Sequence, residues 1–189
     1  MQYDAFMSHT QRSKKAVAYM EKLATGLKEH GFSNIWFDVN MPNQDEEAMR
    51  LGVQNSQVVI AFITGSCINP DSEHDKPTSN AYFNRAYCLK ELRWAIEYQV
   101  PIILAMDNKD DKKFVEFSEQ VPSDLEFLLA TQVRKLDRSN PYLWNGSVQS
   151  VIEPMRTLRK DGLSDQMKRE YKKSRTVLKK NLKKITQRS

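Results

Sequence analysis

Apolar residues along this chain follow two alternating patterns, short continuous runs and a three-and-four-residue recurrence. The runs at 3–8, 35–38, 57–64, 101–106 and 131–136 predict five strands. The run Gln57-Val58-Val59-Ile60-Ala61-Phe62-Ile63-Thr64 is the strongest, and its continuity suits the centre of a parallel sheet covered on both faces. Between the runs, Ala16, Val17, Met20, Leu23, Ala24 and Leu27 predict a helix that Gly31 stops. Asp45-Glu46-Glu47 places acids in the first turn of a second helix reaching about Asn55. A third, from about Asn84 to Tyr98, carries Leu89, Leu92, Ala95 and Ile96 on one face. Phe114, Val115 and Phe117 predict a short helix, and Val148, Val151, Ile152, Met155 and Leu158 one from about Ser147 to Lys160. Strands and helices alternating five times predict an α/β fold, a flavodoxin-like five-stranded parallel sheet with helices on both faces.

In such folds ligands sit beyond the carboxyl ends of the strands, where strand order reverses, here next to the first and third strands. That position is lined by Ser8 and His9 after the first strand, by Thr64 after the third, and by the helix that follows. On that helix Tyr87 and Glu91 stand four residues apart and share a side, setting an aromatic wall beside a carboxylate. Glu91 falls off the apolar face, so a solvated surface glutamate is the alternative. The polar stretch at 65–84 exceeds an ordinary connection, and loops of that length are usually functional or disordered.

Composition changes the picture little: 189 residues, 40% hydrophobic and 28% charged, describe a soluble globular protein. No apolar run approaches the ~20 residues of a membrane helix, and no secretory leader is expected because the first apolar run reads as a core strand. Cys67 and Cys88 make no disulfide framework, which points to a reducing, cytoplasmic setting. No histidine stands at metal-ligand spacing with a cysteine, so no metal site is expected. Charge is more telling. Residues 165–189 hold ten Lys/Arg and two acids, a local +8 that leaves −3 for the rest of a chain whose net charge is +5. The basic character therefore belongs to an appendage, and sequence-specific nucleic-acid binding by the fold is not expected. The division is a domain at 1–160 and a basic tail at 161–189. In the tail Met167, Tyr171, Leu178, Leu182 and Ile185 recur at helical steps amid the cations. That pattern fits a basic amphipathic helix lying on an acidic membrane or against a partner helix, or else a solvated terminus.

Several chemistries are absent. There is no G-x-G-x-x-G after the first strand, no G-x-x-x-x-G-K-[ST] and no G-x-S-x-G elbow. The acidic pair and third-strand aspartate of a receiver domain are replaced by Ser8-His9 and Thr64. What remains resembles a family. Tyr3-Asp4-Ala5-Phe6-Met7-Ser8-His9 is similar to the first signature box of Toll/interleukin-1 receptor (TIR) domains, and Cys88-Leu89-Lys90-Glu91-Leu92 resembles the Cys-Leu-x-Glu-Leu stretch of plant and bacterial-type members. The resemblance runs over about 2–160. It departs in the loop after Asp38, which lacks the usual glycine and has Gln44 near that place, and in the length of the 65–84 stretch.

The resemblance implies an NAD+ glycohydrolase, with NAD+ as substrate and no cofactor, and Glu91 as the catalytic carboxylate. A carboxylate against the ribose hydroxyls stabilises the oxocarbenium-like state that forms as nicotinamide departs, and the Tyr87 ring can hold the cationic nicotinamide. His9, Thr10 and Arg12 are then expected toward the phosphates or the adenine side, with a solvated loop cation as the alternative for Arg12. Ser8 and Thr64 line the floor or cap adjacent helices; Trp36 and Phe37 read as core. It further implies self-association through TIR–TIR contacts, with Asp38, Asn40, Met41 and Pro42 in a loop that gates the pocket, and a role in immune or cell-death signalling. The product is ADP-ribose, a cyclic isomer, or a base-exchanged dinucleotide. Two other readings stand beside this one: a non-catalytic TIR scaffold, and a nucleoside or nucleotide glycosyl-transferring enzyme of similar fold.

Overall fold

A computed structural model describes residues 3–37, 45–65, 81–119, 121–161 and 165–186. Its strands are β1 (Ala5–Ser8), β2 (Ile35–Trp36), β3 (Val59–Ile63), β4 (Ile102–Asp107) and β5 (Arg134–Leu136). They form one parallel sheet in the order β2-β1-β3-β4-β5, the flavodoxin-like order whose reversal lies between β1 and β3. The helices are α1 (Lys14–Glu29), α2 (Glu46–Gln54), α3 (Ala86–Glu97), α4 (Phe114–Ser118), α5 (Pro141–Asp161) and α6 (Asp165–Thr186). The expected gating residues Asp38, Asn40, Met41 and Pro42 lie outside the described residues, as does most of the 65–84 stretch.

Local chemistry sets most boundaries. The Ser13 hydroxyl accepts the Ala16 N–H at 3.2 Å to open α1, and the Asp45 carboxylate accepts the Ala48 N–H at 2.7 Å to open α2. Gly31, at φ 87°, supplies the left-handed residue that ends α1. The last core helix starts at Pro141 and not at Ser147, because proline suits the first helical position and the Asn140 side chain accepts the Leu143 N–H at 2.9 Å.

Strand alternation splits the core into two layers. Ala5, Met7, Ile60, Phe62, Ile103 and Ala105 face α1 and α5. Phe6, Val59, Ala61, Ile63, Ile102, Leu104 and Met106 face α2 and α3. Helix α3 closes the second layer with Leu92 and Ile96, whose burial contributes about 1.5–3 kcal/mol each. Trp36 and Phe37 are core residues, 3% and 2% exposed.

The start of α6 lies against the fold. Tyr171 is buried, donates its hydroxyl to the Val100 carbonyl at 3.0 Å and meets the Phe127 ring edge-on. Ser174 bonds the Asp124 carbonyl, and the Asp124 carboxylate receives a fork of bonds from Arg93 on α3 at 2.9 and 3.1 Å. Among the described residues no helix is long and apolar enough to cross a membrane.

Candidate active site

Phe6 lies on the α2/α3 side of the sheet, so the two-residue alternation aims Ser8 at α3 as well. There the Ser8 hydroxyl donates to Glu91 Oε2 at 2.5 Å. Contrary to the sequence expectation, Glu91 does not fall off the apolar face. Cys88, Glu91, Leu92, Ala95 and Ile96 form one buried stripe at helical spacing, with Glu91 6% exposed. The hydropathy pattern misses this because an acid in an apolar stripe breaks the pattern used to find the stripe.

A second partner of Ser8 was not anticipated. Tyr82, in a 3-10 turn just before α3, is fully buried with its hydroxyl 2.5 Å from Ser8 Oγ. Burial first, then the nearby Cys88 and Glu91, push the Tyr82 phenol well above its usual range, and the bond with Ser8 only partly opposes this. The phenol therefore keeps its proton. Since the one proton of Ser8 goes to Glu91, Tyr82 donates to Ser8 and Ser8 to the carboxylate. Tyr82 is carried into place by its N–H, which bonds the Thr64 carbonyl at 3.0 Å.

Glu91 lines a cleft of about 170 Å³ with His9, Thr10, Gln11, Met49, Arg85, Tyr87 and Cys88. Of the residues expected at a site, His9, Thr10, Tyr87 and Glu91 share this cleft, and Ser8 lies behind it. His9 is buried, its Nδ1 3.3 Å from the Met7 carbonyl and its ring 5.1 Å from that of Phe37. Tyr87 is 45% exposed, with the Lys90 ammonium 5.0 Å over its ring. Lys90 is in turn held by Glu46 at 2.5 Å, which ties the start of α2 to the cleft wall. Thr64 is buried but is not part of the lining, and it serves through its backbone. Arg12 is exposed and outside the lining. Gln11, Met49, Tyr82 and Arg85 are additions from the structure; for Tyr82 the signal available was the aromatic pair Tyr82-Phe83 interrupting a polar stretch.

Larger clefts open elsewhere, but their chemistry is poorer. One of about 420 Å³ contains Asp107, whose carboxylate is already engaged by Lys15 at 2.6 Å. Another of about 420 Å³, along β4, β5 and α5, has the exposed Glu153 as its one acid among the described lining residues. Among the described residues, the 170 Å³ cleft joins a buried carboxylate to the point where strand order reverses.

These features define a doubly wound parallel α/β domain with a hydrogen-bonded acid at its topological switch point. The chain belongs to the TIR domain family, whose model matches residues 6–132, more than half its length. Among solved structures it is similar to the TIR domains of the activated Roq1 resistosome that directly recognises the pathogen effector XopQ, with a TM-score of 0.52 and 14% identity, covering 82% of this chain and 99% of that one. That likeness is one of fold. The comparison with curated proteins finds no match.

Proposed function

We propose that this TIR domain is an NAD+ glycohydrolase in which Glu91 faces the nicotinamide-bearing ribose. The observation supporting this is a carboxylate buried in an apolar helix stripe, hydrogen-bonded by Ser8 and lining a sugar-sized cleft. Burying a carboxylate is unfavourable, and keeping one where leucine or alanine would pack better calls for a use beyond stability. In the proposed reaction the C–N bond breaks and its electron pair leaves with nicotinamide. Positive charge develops on the ribose and is stabilised by Glu91 through the sugar hydroxyls. Water then adds at the anomeric carbon and loses a proton, giving ADP-ribose, while internal attack by adenine gives a cyclic isomer. Tyr87 holds the cationic ring on the face opposite Lys90.

The cleft is smaller than the ~300 Å³ or more of a typical ligand pocket, and self-association is proposed to complete it. The match to TIR domains of an activated resistosome supports an assembled, signalling form. The test is nicotinamide release from NAD+ by pure protein beside Glu91→Gln and Glu91→Ala. Release falling at least about 100-fold in both is expected. Release unaffected by either substitution removes Glu91 from the chemistry. No release by the unaltered, assembled protein leaves the scaffold reading.

A further inference from the structure

We infer that the start of α3 is an anion site that reads the pyrophosphate of a dinucleotide, with Arg85 as its specificity-determining cation; this rests on the NAD+ reading above. Arg85 is the N-cap residue of α3, its own side chain makes no capping bond there, and no acid occupies the first turn. A cation at the positive end of a helix dipole is opposite to the usual preference. Among the described residues the Arg85 guanidinium has no carboxylate or aromatic partner to offset the conflict, and it lines the cleft. An anion bound there reverses both unfavourable terms at once.

A second observation points the same way. Thr10 is 1% exposed, lines the same cleft, and its hydroxyl has no hydrogen-bond partner among the described residues. A buried hydroxyl left without a partner is uncommon, and Thr10, unlike Thr64, which has the same unpartnered hydroxyl, lines the cleft. The spacing also fits. Arg85 and Glu91 are six residues apart, about 9 Å along the helix axis, which is comparable to the span from the anomeric carbon of a ribose to the phosphates on its 5′ oxygen. With the nicotinamide ribose at Glu91, the pyrophosphate falls at Arg85 and Thr10.

The experiment is calorimetric titration of the full chain with ADP-ribose, with inorganic pyrophosphate as competitor, for the unaltered protein and for Arg85→Gln, Arg85→Lys and Thr10→Val. Kinetics on NAD+ and on nicotinamide riboside, which lacks phosphate, run beside it. Arg85→Gln should weaken ADP-ribose binding about 10- to 100-fold, Arg85→Lys less, and Thr10→Val by a few-fold. The KM for NAD+ should rise while cleavage of nicotinamide riboside holds. The melting temperature of Arg85→Gln should stay level or rise, since a cation leaves the positive helix end; a merely structural arginine would lower it. Equal ADP-ribose affinity in the unaltered protein and Arg85→Gln overturns the site, as does pyrophosphate binding without ADP-ribose binding. Nicotinamide release with an unchanged NAD+-to-riboside ratio in Arg85→Gln removes the anion site and leaves the cleavage reading. Arg85-dependent ADP-ribose binding without any nicotinamide release does the reverse.

Discussion

Replacing Ser8 by alanine should be far costlier than replacing Tyr82 by phenylalanine, although each removes one hydroxyl from the same buried chain. Ser8 is fully buried and accepts from Tyr82 and donates to Glu91 at 2.5 Å each. Ser8→Ala takes a donor from a buried carboxylate, a bond to a charged group worth about 1.5–3 kcal/mol, and orphans a buried phenol, adding about 1–3 kcal/mol. The sum, roughly 2.5–6 kcal/mol, is a large share of the ~5–15 kcal/mol that holds a domain folded. Tyr82→Phe removes the phenol together with its desolvation and leaves the Ser8–Glu91 bond intact, so about 0.5–1.5 kcal/mol is expected. The double variant should recover part of the Ser8→Ala cost, because no phenol is then left orphaned. Urea unfolding at pH 7 measures all three. Nicotinamide release should fall about 10- to 100-fold in Ser8→Ala, as the carboxylate loses its orientation. Equal costs for the two single variants, or strict additivity in the double one, would refute the chain from Tyr82 through Ser8 to Glu91.

Two further predictions concern the frame around the site. Burial alone would raise the Asp107 carboxyl, but bonds from Lys15, from the Lys109 N–H and from Tyr19 together outweigh it and hold Asp107 below its usual range. Burial would lower Lys15, yet Asp107 and Asp110 raise it. The Asp107 contribution is therefore complete above ~4 and is lost as pH falls through its depressed value; that of Lys15 is complete below ~10.4 and is lost as pH rises through its raised one. Urea midpoints should be level between these limits, and Asp107→Asn should flatten the acid limb; an unchanged limb would sink the assignment. Gly52→Ala should cost about 1–3 kcal/mol, because its Cβ would stand 2.7 Å from Trp36 Nε1 and the ring is stacked on Phe6 at 4.3 Å. An unaltered melting temperature would show that Trp36 can retreat.

The strands were legible because β3 and β4 carry continuous apolar runs, and their parallel pairing follows from the helices between them. The edges were less so. The 35–38 run pairs over only two residues, and the 131–136 run over three, because edge strands are defined by a neighbour more than by their own composition. At the site, residue types and one-element spacings carried Tyr87 and Glu91. The depth of Glu91 depends on where Ser8 and Tyr82 arrive, and Tyr82 is 74 residues from Ser8 in sequence. No local pattern encodes that meeting, whereas the parity of Phe6 and Ser8 on β1 does set which face Ser8 takes.

At many other places in the described fold local preference and tertiary position agree: Ser13 and Asp45 cap their helices, Gly31 takes the left-handed turn, and apolar stripes face the sheet, although Gln99 holds a positive φ and Pro154 sits inside α5. At the cleft three rules are broken together. An acid sits in an apolar stripe, a cation sits at the positive end of α3, and the buried Thr10 hydroxyl lacks a partner among the described residues. Each alone would be a small inefficiency that substitution could relieve without disturbing the fold. Their convergence on one cleft of about 170 Å³, beside the reversal of strand order, is what a ligand with a cationic sugar at one end and phosphate at the other would explain. A scaffold acting only through its outer surfaces has no need for any of the three, so relieving them separates the two readings. In the enzyme Glu91→Gln abolishes turnover and Arg85→Gln weakens substrate binding, whereas in the scaffold neither substitution alters assembly or its output.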